Sequence, residues 1–130
     1  MSHPLMVPMR QEFDTTHIED FESTLAEKIR KHLAVSTFSE GDTVALGVGS
    51  RGVTPLVSAV STIIRELKTA GLKPFIVPAM GSHGGATSKG QEAVLAEYQI
   101  TESVVGAPVR ATMDTVVTGK GPRGYGYLID

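Results

Sequence analysis

At 130 residues, with 41% hydrophobic and 20% charged residues, the chain has the makeup of one globular domain. A chain of this size buries about two-thirds of the surface its unfolded form exposes. A formal net charge of −2 and no run of Lys or Arg give no electrostatic case for nucleic acid or an anionic membrane, and zero cysteines exclude disulfides, a thiol nucleophile and cysteine-ligated metal.

No stretch is apolar for long enough to span a bilayer, and "MSHPLMVPMRQEFD" lacks the apolar core of a signal peptide, so the cytoplasm is the expected compartment. "LMVPMRQEF", at 5–13, reads as a short first strand, with Pro8 favouring a sheet edge because it has no N–H to donate. Over 18–33, Ile18, Phe21, Leu25, Ile29 and Leu33 keep helical spacing. Thr15 or Thr16 is a candidate cap, and Lys28, Arg30 and Lys31 suit the negative end of that helix. "TVALGVG" then reads as a buried strand.

In "SRGVTPLVSAVSTIIRELKTAGLKP", Thr54 is the candidate N-cap, Pro55 the first helical residue, and Gly71 the left-handed terminator. "PFIVPA" is a second buried strand. Ser88 and Gln91 have capping-box spacing before "EAVLAEYQ", "TESVVG" is one further helical turn, and "PVRATM" with a hairpin of "TVVTG" and "YGYLI" finishes the chain. Alternating strands and helices predict one α/β domain over 1–130: a mainly parallel, Rossmann-like sheet with helices on both faces, plus the C-terminal β-hairpin. In such folds ligands sit outside the carboxyl ends of the strands, where two glycine loops fall here.

In the first loop, Gly47, Gly49 and Gly52 of "GVGSRG" match G-x-G-x-x-G. A dinucleotide site also asks for an acid at the end of the next strand, and "IVPAMGS" has none. Arg51 reads instead as a clamp for a carboxylate or phosphate, or more simply as an arginine paired with a surface acid. In the second, "AMGSHGGATSKGQ", His83 stands among Gly81, Gly84 and Gly85. Glycines permit close backbone approach and positive φ, and an imidazole can accept and return a proton within one turnover. The plainer alternative is a turn whose histidine bonds its own loop. His3, His17 and His32 form no metal-binding pair, Asp114 reads as a turn residue, and Arg110 either reaches the ligand edge or pairs with an acid.

"GVGSRGV", "AMGSHGGATSKGQEAVLAEYQITESVVGAPVRATM" and the hairpin after them resemble the amino-terminal domain of the nickel-pincer lactate racemase family, in its lactate-racemase-like branch. The resemblance runs from about residue 5 to residue 130, and the glycine–serine–histidine loop is its most specific piece. It implies isomerisation of a 2-hydroxy acid or sugar acid, with the hydroxyl proton passing to a histidine and hydride to a nickel-pincer nucleotide. His83 matches the family's first catalytic histidine and Arg51 its loop arginine near the substrate. Where lactate racemases carry an aspartate ahead of that arginine, this chain has Val48, which argues against lactate itself.

His83 is therefore the candidate catalytic residue. Arg51, Ser50, Ser82 and Gly84 are candidate substrate-binding residues, and Gly49, Gly81, Gly85 and Thr87 candidate cofactor-binding residues. No metal ligand is assigned. The cofactor's tethering lysine, its nickel ligand and a second catalytic histidine belong to a later part of the family's chain. The expected partners are a small hydroxy acid, further polypeptide beyond Asp130 and a possible second copy in a homodimer, and these 130 residues alone are expected to be inactive. The rival reading is a noncatalytic α/β module that holds an anion or nucleotide.

Overall fold

The computed structural model describes residues 7–51, 54–120 and 126–129. Its elements in chain order are α1 (Phe21–Ala34), β1 (Thr43–Val48), α2 (Leu56–Thr69), β2 (Lys73–Pro78), α3 (Ser88–Glu97), α4 (Glu102–Val105), β3 (Val116–Lys120) and β4 (Gly126–Ile129). β1 and β2 pair in parallel, and β3 and β4 pair antiparallel as a separate sheet. Val109 adds one parallel bridge to Ile76 on the free side of β2.

The Rossmann-like expectation therefore fails. Among the described residues the parallel sheet has two strands, and only one of its faces is covered. Leu46, Val48 and Ile76 pack with Val60 and Ile64 of α2, Leu95 of α3, and Ile100, Val105 and Ala107. The other face carries Thr43, Ala45 and Gly47, all exposed, beside Lys73, Phe75 and Val77 in the parallel register. Those β1 residues offer too little apolar area to hold a helix. α1 packs on α2 instead, tied by Ser58 Oγ donating to Glu22 Oε1 at 2.5 Å and by Arg30 pairing with Glu66 at 3.8 Å.

The expected first strand fails as well. Residues 7–18 are exposed and pair with no strand, including Val7, Met9 and Phe13; Leu5 and Met6 lie outside the described residues. An apolar alternation makes a strand only when a partner edge accepts it, and the sequence cannot display the partner. α1 begins three residues later than expected, at Phe21, because the Asp20 carboxylate accepts the Ser23 N–H at 3.2 Å and so caps the helix in place of Thr15 or Thr16.

Pro55 is the N-cap of α2, with no side-chain cap, and Gly71 follows its end at φ +80°. α3 is capped by Thr87, whose Oγ1 accepts from Gly90 N–H at 3.1 Å. The expected Ser88–Gln91 box does not form, since Gln91 is buried and donates from Nε2 to Gly81 O at 2.8 Å. No helix among the described residues is long and apolar enough to cross a membrane.

Candidate functional site

The parallel register sets Val48 beside Pro78, so the loops that leave β1 and β2 start side by side. Ala79 N–H donates to Val48 O at 2.8 Å and carries the pairing one step further. Gly47 makes room for this: a Cβ there would stand 3.3 Å from that of Ala79. Both strand tips thus feed one edge.

The second loop turns sharply. Gly81, Gly84 and Gly85 have φ of +60°, +64° and +69°, around a short 3₁₀ turn at His83–Ala86. Its backbone lies directly on α3, where a Cβ at Gly90 would stand 1.7 Å from Gly84 O. Thr87 closes the turn by donating to Gly84 O at 3.1 Å. The loop that carries His83 is therefore seated on the first turn of α3 by backbone contact.

Between the loops lies a cleft of about 320 Å³, lined by Gly49, Ser50, Arg51, Ala79, Met80 and His83. That volume is at the small end of the usual range for ligand sites, about 300–1,000 Å³. Ser50 Oγ stands 2.5 Å from His83 Nδ1. The Ser50 backbone is itself held, because the Tyr98 hydroxyl donates to its carbonyl at 2.9 Å. Arg51 is exposed and takes part in none of the ion pairs among the described residues. The site therefore offers a cation and an imidazole whose Nδ1 is already engaged.

Of the candidate residues, Gly49, Ser50, Arg51 and His83 meet on this cleft, while Gly81, Ser82, Gly84, Gly85 and Thr87 do not line it. Gly84 faces Gly90, Thr87 is occupied as a helix cap, and Gly81 receives Gln91. Gly52, the last glycine of the fingerprint, lies outside the described residues. Sequence reasoning missed Ala79, Met80 and Tyr98. Met80 was legible as the first residue past Ala79 in an apolar run; Tyr98 sits 48 residues from Ser50 and nothing local marks it. Asp14, held below the ordinary carboxylate range by the Thr16 backbone N–H, and Glu27, held low by the hydrogen bond and charge of Lys31, lie elsewhere and do not line the cleft. Compared with known proteins, the chain matches no family model, no curated protein and no solved structure.

Proposed function

We propose that this cleft binds a small 2-hydroxy acid or sugar acid and accepts its hydroxyl proton, as one share of a racemase- or epimerase-like active site. The observation that carries the reading is that Arg51 and His83, from adjacent strand tips, line one cleft. A guanidinium grips a carboxylate with two N–H groups, which fixes the acid's orientation and leaves its hydroxyl-bearing carbon beside the clamp. When the neutral ring donates from Nδ1 to Ser50 Oγ, the lone pair of Nε2 is left for the substrate hydroxyl. In that tautomer Ser50 Oγ accepts from the ring and orients it, and the Tyr98 hydroxyl holds the Ser50 carbonyl.

The nickel-pincer nucleotide of the resembled family would supply a hydride acceptor. Among the described residues no group of three or more His, Cys, Asp or Glu is placed to hold a metal ion, and no lysine lines the cleft. The described residues do not by themselves hold that group, and no step is assigned to it. Binding is accordingly the readout for this chain. In a heteronuclear NMR titration, glycerate or lactate perturbs residues 49–51 and 79–83, and Arg51→Gln weakens the binding by about tenfold or more, the worth of a charge-assisted hydrogen bond. His83→Gln removes the preference for lactate over propionate, which lacks the hydroxyl. Equal binding of phosphate, lactate and propionate in the wild-type chain favours the noncatalytic anion-binding module instead.

A further inference from the structure

A second cavity, of about 200 Å³, shares the small, exposed Ala79 with the cleft and is lined by Val77, Pro78, Ala79, Gln91, Arg110 and Thr112. Arg110 is brought there by its backbone. Ile76 N–H donates to Pro108 O at 2.8 Å, Arg110 N–H donates to Ile76 O at 2.8 Å, and Val109 bridges Ile76 in parallel. The segment therefore runs beside β2 toward the edge that bears Ala79 and His83.

The Arg110 guanidinium lies over the Phe75 ring, 4.5 Å from its centroid. Such stacking engages the flat face of the cation and leaves its in-plane N–H groups for an anion. Arg110 takes part in none of the ion pairs among the described residues. The two polar neighbours have donors to spare. Gln91 commits one amide N–H to Gly81 O, and Thr112 Oγ1 accepts from Asp114 N–H at 3.0 Å, which leaves its own O–H to donate. A guanidinium, an amide and a hydroxyl around a small cavity are the chemistry of anion recognition.

We infer that the Arg110 cavity is a second anion subsite beside the cleft, and that the ligand is a 2-hydroxy acid with a further anionic group, carboxylate or phosphate, at its far end. The inference rests on the Arg51–His83 reading and narrows it: one cation takes the carboxylate beside the reacting carbon, and the other, in the cavity that shares Ala79, takes the remote charge. A monoanionic acid fills only the first.

The test compares lactate, malate and 3-phosphoglycerate by calorimetry and NMR on the full chain. At least one of the two acids with a second anionic group binds tenfold or more tighter than lactate and perturbs residues 109–112 as well as 49–51 and 79–83; which of the two is tighter identifies the remote group. Arg110→Gln reduces that preference to twofold or less and leaves lactate affinity unchanged. Arg110→Lys, which keeps the charge without the planar fork, retains an intermediate preference, and a folded spectrum of this variant guards against loss of the Phe75 stack as the cause. Equal affinity for all three acids, or a preference that survives Arg110→Gln, overturns the second subsite while lactate binding still supports the first cleft. Failure of every acid to perturb residues 49–51 and 79–83 overturns both.

Discussion

At the end of β1, Gly47 and Gly49 have ordinary negative-φ backbone, whereas in the loop after β2 Gly81, Gly84 and Gly85 all stand at positive φ. Gly47 is glycine for the sake of a neighbour, since an added Cβ would stand 3.3 Å from that of Ala79, while a Cβ at Gly49 would meet the Ala79 carbonyl oxygen at an ordinary 3.7 Å. The second set is glycine for the sake of its own backbone, and Gly84 also for its contact with Gly90. The consequence is a division of labour. The β1 loop contributes side chains, Ser50 and Arg51, on permissive backbone; the β2 loop contributes a shape, which brings His83 to the cleft beside the apolar Ala79 and Met80.

Gly90→Ala tests that contrast most severely, because two physical effects oppose each other there. Gly90 lies inside α3, where alanine ordinarily gains about 1 kcal/mol over glycine in helix propensity. Its Cβ would stand 1.7 Å from Gly84 O and 2.6 Å from Gly84 C, both backbone atoms that no rotamer change can move aside. Overpacking of this kind costs about 1–3 kcal/mol or more, and we expect a net loss near the upper figure in urea unfolding, with His83 displaced from Ser50 in the NMR spectrum. A stabilised Gly90→Ala would mean that the loop is not seated on α3 as described.

The order of helices and strands was legible in the sequence because each core element carries its own period: Val60, Ile64 and Leu67 in α2, or Phe75 to Val77 in β2. The extent of the sheet was not. Residues 5–13 show strand-like apolar content, but strand formation needs an edge elsewhere in the chain. The exposed row of Thr43, Ala45 and Gly47 reads as buried only if a covering layer is assumed. The convergence of Arg51 and His83 followed from parallel strand tips. The second shell around them did not, since Gln91 looks locally like a capping residue and is diverted by a carbonyl ten residues back.

Ser50→Ala sharpens the contrast at the point where the two loops touch. The pair is exposed, so losing the hydrogen bond lowers stability by no more than about 1 kcal/mol. Its larger effect falls on the ring. Oγ stands 2.5 Å from Nδ1, and the direction of that hydrogen bond sets the balance between the neutral tautomers of His83. In Ser50→Ala the ring ¹⁵N shifts move toward an ordinary tautomer mixture, and Ser50→Thr, which keeps the hydroxyl, restores them. Unchanged ring shifts in Ser50→Ala would remove Ser50 from any part in orienting the base.

The smallest effect is expected from Gly49→Ala, and its smallness is the point. A phosphate fingerprint needs this glycine because a ligand's backbone approach leaves no space for a methyl group. Without ligand, the added Cβ meets only Ala79 O, at an ordinary van der Waals distance of 3.7 Å, and the backbone needs no positive φ. Melting should therefore shift by an amount equivalent to about 0.5 kcal/mol or less. Because Gly49 lines the cleft without supplying a charge to it, hydroxy-acid affinity falls by less than in Arg51→Gln. A stability loss as large as that of Gly90→Ala would show that the β1 loop, too, depends on a backbone shape rather than on the side chains it presents.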